Sequence, residues 1–155
     1  MISDKDMEIL GHLRKNSREK ITEISRTMNV PVTTVYDKIR AQHKKGILKK
    51  HTSLVDFSKL GYNAKAIIAF KVRSDRIHEF QEFLESLPNT NSLYRINSTH
   101  DFLVEVIFPG LMELQMFLDE TQKYSIEEPK IFNILHEIKR EVFLNSGGKN
   151  VLDIC

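Results

Sequence analysis

Between Thr33 and Lys50 the chain carries hydroxyl, carboxylate and cationic side chains at spacings suited to recognising a polyanion. Thr33, Thr34, Tyr36 and Asp37 can exchange hydrogen bonds with base edges, and Lys38, Arg40, Lys44, Lys49 and Lys50 can hold phosphate oxygens. Asp37 suits a cytosine amino group, against the repulsion that phosphates exert on its carboxylate. Thr33, Tyr36, Asp37, Arg40 and Lys44 recur every three or four residues, so a helix over 32–45 gathers them opposite Val35 and Ile39 or on the flanks. The six histidines (His12, His43, His51, His78, His100 and His136) include no short pair at zinc spacing, and the single cysteine, Cys155, has no intrachain partner. No metal, cofactor or disulfide is expected.

The elements that must hold these groups are legible on either side. Ser3 followed by Asp6 resembles a capping box, and Ile9, Leu10 and Leu13 form a helical stripe, predicting a first helix over Asp4–Lys15. A second runs from near Thr22 to Met28 with Ile21, Ile24 and Met28 inward. Asn29 tolerates the left-handed conformation and Pro31 opens a helix, so the two make a tight turn before the third. Gly46 suits the position just past that helix. ILKKHTSLVDF then alternates like a short hairpin, a basic wing bearing Lys49, Lys50 and His51. The order predicts a winged helix-turn-helix over residues 1–53.

Charge separates this segment from the rest. Residues 1–60 hold 13 Lys or Arg against 7 Asp or Glu, a surplus of +6, and residues 61–155 hold 10 against 14, or −4. With 41% hydrophobic residues, 28% charged residues and no apolar run long enough to span a bilayer, the chain reads as soluble, with no membrane partner. The start MISDKDMEIL is too acidic for a signal peptide, so a cytoplasmic location is expected.

After a hinge at 54–63 the pattern becomes mixed. Strands are predicted over Ala64–Val72, Ser92–Asn97, Phe102–Phe108 and about Lys130–Lys139. A helix opened by Ser74 and Asp75 is ended by Pro88 and Asn89, and another runs from Leu111 to about Gln122. This is an α+β ferredoxin-like βαββαβ order over 64–144, followed by a polar tail at 145–155 that is a mobile end or an interface clip. Phe102–Phe108 is apolar at nearly every position, on both faces. A sheet covered by helices on one side only then needs a second cover, predicting a homodimer through the sheets.

Three segments, SDKDMEILGHLRKNSR, TTVYDKIRAQHKKGILKKHTSLVDFSKLG and YRINSTHDFLVEV, in that order from Asp4 to Lys139, resemble the Lrp/AsnC family of transcriptional regulators. The resemblance implies sequence-specific binding of double-stranded DNA and a linker strand near Leu54–Phe57. It also implies a regulatory domain that forms dimers and assembles further, to tetramers or octamers. An amino acid is implied as effector, bound between subunits near the middle-strand turn, so that Ser98, Thr99, His100 and Asp101 are the candidate effector residues. The chain departs from the family pattern at Pro31 (usually Ser), Asp37 (commonly basic), Gln42 (usually Leu) and Ser98 (glycine expected).

Two alternatives belong to other classes. One is a DNA-compacting protein without an effector. The other is an enzyme, since relatives of this architecture decarboxylate a tetrapyrrole. It would draft Tyr94, Arg95 and His100 to bind acidic groups and move protons, but no acid–base pair is evident and the basic helix goes unused, so no catalytic residue is assigned.

Overall fold

The computed structural model describes residues 2–97 and 99–145. The candidate effector residue Ser98 and the tail 146–155, with Cys155, lie outside the described residues. The chain divides into two compact units, one containing the described residues up to Leu54 together with 138–145, the other Val55–Glu137. No described helix is long and apolar enough to cross a membrane.

The first unit holds helices α1 (Asp4–Lys15), α2 (Ile21–Met28) and α3 (Val32–Lys44). Ile9, Leu13, Ile24 and Val35 form its buried centre, with Ile21, Met28 and Ile39 packed around it, as their helical spacing requires. The capping box at the start of α1 is complete. Ser3 Oγ accepts from the Asp6 N–H at 3.3 Å, and the Asp6 carboxylate accepts from the Ser3 N–H at 2.9 Å and the Ser3 hydroxyl at 2.6 Å. Asn29 ends α2 in the left-handed conformation at φ 53°, where the Ser25 hydroxyl and carbonyl bond the Val30 backbone.

Hydrogen bonds from Ser3 and the Lys38 ammonium hold the Asp6 carboxyl well below the usual carboxylate range. A depressed folded-state pKa adds stability that is fully present above the unfolded value of about 4 and is lost only as pH falls through the lower folded value. Asp6→Asn is therefore expected to lower unfolding free energy by about 1–2 kcal/mol in urea melts at pH 7, and most of that difference persists at pH 3, where the folded carboxyl is still ionised.

Two expectations for this unit change. No strand ladder forms among residues 45–56, so the predicted hairpin wing and the linker strand near Leu54–Phe57 are instead an irregular arm followed by a 3-10 turn, Phe57–Leu60. The segment has no Asn-Gly or Asp-Gly at its tip, and a lone two-stranded hairpin is marginal in water. Residues 138–144, expected with the second domain, group with the first unit. There Arg14 Nη1 lies 2.9 Å from Glu141 Oε2 and Arg14 Nε donates to the Phe143 carbonyl.

The second unit is a four-stranded antiparallel sheet, β1 (Ala64–Phe70), β2 (Thr90–Arg95), β3 (Phe102–Phe108) and β4 (Lys130–Asn133), in the order β2-β3-β1-β4. Helices α4 (Ile77–Ser86) and α5 (Leu111–Thr121) follow β1 and β3, giving the expected strand–helix–strand–strand–helix–strand order. Ala66, Ile68 and Phe70 of β1 and Val104 and Val106 of β3 pack with Phe80, Leu84, Leu114 and Phe117 of the helices. Phe80 stands edge-on to Phe70 at 5.0 Å.

Strand ends differ from the reading by pattern. β4 stops at Asn133 because the antiparallel register pairs Asn133 with Ala66, and only two residues of β1 remain beyond that point. β2 begins two residues earlier than expected, with an irregularity between Thr90 and Ser92, and it ends at Arg95 because Ile96 donates to the Asp101 carbonyl to close the turn. The sheet face away from the helices carries Ile67, Leu103, Ile107, Tyr94 and Phe132. Its polar centre is Lys65, 2.8 Å from Glu105 and 2.9 Å from Glu137.

Candidate nucleic-acid interface and effector loop

Helix α3 presents Thr33, Tyr36, Asp37, Arg40 and Lys44 on one exposed face, set by the helical repeat and by the burial of Val35 on the other side. Tyr36 is 54% exposed, although its ring is apolar enough to bury. None of these five side chains bonds to another described residue. Thr34 is half-buried in the first turn, and Lys49 and Lys50 lie exposed on the arm after Gly46. Pro31 occupies the N-cap and provides no side-chain cap; its carbonyl accepts from the Thr34 N–H at 3.0 Å, which leaves the Val32 and Thr33 N–H groups for solvent or an anion.

Lys38 is placed differently from the other cations. Its ammonium lies 3.0 Å from Asp6 Oδ1 and 3.3 Å from Ser3 Oγ, so it ties the start of α1 to the middle of α3. Gln42, one turn further along and only 3% exposed, brings Nε2 to 3.3 Å from the same carboxylate. At this position, where the family pattern has leucine, a polar link joins the helices, and Gln42 Oε1 has no hydrogen-bond partner among the described residues. The sequence held one sign of this network: Lys38 and Gln42 stand four apart. Nothing in the spacing shows that Asp6 meets them.

In the middle-strand turn, Asp101 is buried and its groups are committed. Its Oδ2 accepts from the Val72 N–H at 2.9 Å and lies 3.3 Å from Lys71 Nζ, and Arg95 Nη2 approaches Oδ1 at 3.5 Å. Its own N–H donates to the Phe70 carbonyl at 2.8 Å. Burial opposes ionisation of this carboxyl, but the Val72 N–H and the Lys71 and Arg95 charges outweigh it and hold the group below the usual range. Thr99 is exposed and His100 half-buried, with the Thr99 hydroxyl 2.8 Å from His100 Nδ1. Tyr94 and Arg95 are successive strand residues and point to opposite faces. Tyr94 lies on the open face opposite Leu103, and the Arg95 guanidinium covers the Phe102 ring at 4.7 Å. The three residues considered for catalysis thus share no common face.

Residues 65–142 match the family model described as the Lrp/AsnC ligand binding domain. An uncharacterized HTH-type transcriptional regulator of Pyrococcus furiosus is 32% identical over 118 residues, covering 76% of this chain and 80% of that protein. The structure of LrpC from Bacillus subtilis has a TM-score of 0.82 at 24% identity, over 90% of this chain and 98% of that one. A transcriptional regulator of Neisseria meningitidis, solved as an L-Met complex, has a TM-score of 0.83 at 19% identity, over 90% and 94% of the two chains. With half its length in the family's ligand-binding domain and a relative above 30% identity along most of both proteins, this chain belongs to the Lrp/AsnC family of transcriptional regulators.

Proposed function

We propose that this protein is a dimeric, sequence-reading DNA-binding regulator that inserts the start of α3 into the major groove. The observation that carries this reading is the exposed face Thr33, Tyr36, Asp37, Arg40 and Lys44, polar and without side-chain partners among the described residues, beside an arm bearing Lys49 and Lys50. Thr33, Tyr36 and Asp37 meet base edges near the helix N-terminus, as helix-turn-helix readers do, with Thr34 beside them. Arg40, Lys44, Lys49 and Lys50 hold phosphates, and Lys38 supports the helix through Asp6.

Two copies joined through their open sheet faces present two such helices to half-sites of a palindrome, and dimers of this kind can build larger assemblies. An amino acid is the proposed effector, supported by the L-Met complex of the Neisseria meningitidis regulator. It meets the 98–101 turn, where Thr99 and His100 contribute side chains, and Asp101 shapes the loop from within. Its binding changes the spacing of the two readers and so their match to DNA.

Salt-dependent DNA binding tests the assignment. Arg40→Ala and Lys44→Ala are each expected to reduce the slope of log K against log salt by about 0.9, whereas Lys38→Gln leaves the slope unchanged. Equal slopes for all three variants would remove the α3 face from the interface. Footprinting that protects a defined palindrome supports sequence reading, and uniform protection supports a compacting protein instead.

A further inference from the structure

The reversal after α3 brings together two histidines that stand eight residues apart. Gly46 adopts φ +69°, a conformation open to glycine, and the Ile47 and Leu48 N–H groups donate to the Gln42 carbonyl. His51 is thereby returned to the last turn of α3. His43 Nε2 and His51 Nε2 lie 3.3 Å apart, with ring centroids at 5.3 Å and planes inclined by 59°. Both residues are exposed, and neither Nε2 has another partner among the described residues.

This separation is long for a hydrogen bond between nitrogens. It matches two imidazole ligands of one tetrahedral ion, which at bond lengths of about 2.0–2.1 Å stand ~3.3–3.4 Å apart. We propose that His43 and His51 chelate one divalent transition-metal ion through their Nε2 atoms, clipping the arm after Gly46 onto the end of α3. Imidazole donors without carboxylates select copper(II), nickel or zinc over magnesium and calcium, with copper(II) bound tightest.

Among the described residues no group of three His, Cys, Asp or Glu side chains forms a metal cluster, so the remaining coordination positions belong to water or an incoming anion. Lys44, Lys45, Lys49 and Lys50 flank the pair. They oppose an added cation and favour an anion as its further ligand, so the site is an open one of modest affinity. Its physical effect is on the arm, which has no strand ladder to fix its direction. A metal bridge closes the loop between residues 43 and 51 and restricts where Lys49 and Lys50 lie. The site is separate from the 98–101 turn and does not depend on the DNA-binding reading.

The test is calorimetric titration of the metal-stripped full-length protein with zinc, and with copper(II) followed by electron paramagnetic resonance. One ion per chain is expected, with nitrogen hyperfine splitting from two imidazoles. His43→Ala and His51→Ala are each expected to weaken binding by more than about tenfold, at least the loss that follows removal of an outer-shell partner. His78→Ala and Cys155→Ser, as controls, leave binding unchanged. Zinc is also expected to slow amide exchange over residues 47–53 in the unaltered protein and not in His51→Ala. Circular dichroism confirms that the variants fold, since both side chains are exposed. A flat titration, binding that survives the double substitution, or binding lost with Cys155→Ser would overturn the proposal.

Discussion

Phe132→Glu is expected to convert the proposed dimer to a monomer and to reduce DNA affinity by two to four orders of magnitude, the range over which linking two binding modules raises avidity ~10²–10⁴-fold. Helices α4 and α5 pack on one face of the sheet, and on the other Phe132 is 57% exposed beside Ile67. Burying one phenylalanine against a partner contributes about 1.5–3 kcal/mol, and two-fold symmetry counts it twice. Glutamate at the same place removes that gain and adds an unpaired buried carboxylate, worth several kcal/mol against association. Phe132 lies away from the Phe70–Phe80 core, so the monomer keeps its cooperative melt. Sedimentation equilibrium and gel shift on one operator measure the two effects together. A variant that sediments as a dimer would show that this face is not the interface.

Asp101→Ala is expected to lower unfolding free energy by about 2–3 kcal/mol, chiefly through the buried Val72 N–H it leaves without an acceptor. Lys71 and Arg95 contribute less, because 37% and 47% of their side-chain surfaces remain in water and their charges are readily solvated. Asp101→Asn keeps an acceptor and is expected to fall between. Since the folded-state pKa is depressed, this contribution is fully present above the unfolded value of about 4, diminishes below it and is lost as pH falls through the folded value. The gap between the natural protein and Asp101→Ala therefore narrows in urea melts repeated at pH 3. A purely ligand-binding aspartate would leave stability unchanged while abolishing the effector response.

The 98–101 turn and the α3 face differ in how far sequence alone could describe them. Periodicity is enough to place Thr33, Tyr36, Arg40 and Lys44 on one side of a helix, because the 3.6-residue repeat is local. Periodicity does not reveal that Lys38, on the flank of that helix, meets Asp6, which stands 32 residues earlier and on another helix. Asp101 likewise looks like a turn residue in sequence, and its acceptor role depends on Val72, 29 residues away on a segment brought alongside by the sheet. The wing failed as a hairpin for a related reason: alternation says which face a strand would bury, but a ladder also needs a neighbour for its N–H and C=O groups.

The bounds of α1, α2, α3 and α5 to within about a residue, the capping box, the left-handed Asn29 and the order of strands and helices were determined by the sequence, since each follows from backbone sterics and short-range repeats. The helix expected to open at Ser74 and Asp75 instead begins at Ile77, after a 3-10 turn, Ser74–Arg76. The charge division between the first 60 residues and the remainder was equally readable, because it is a matter of composition. Tertiary structure decided which cations are free and which are tied down, where β2 and β4 end, that the arm lacks a ladder, and that His43 meets His51. Each of these depends on groups distant in the chain or on a turn whose path a single glycine sets, and burial and electrostatics act through space.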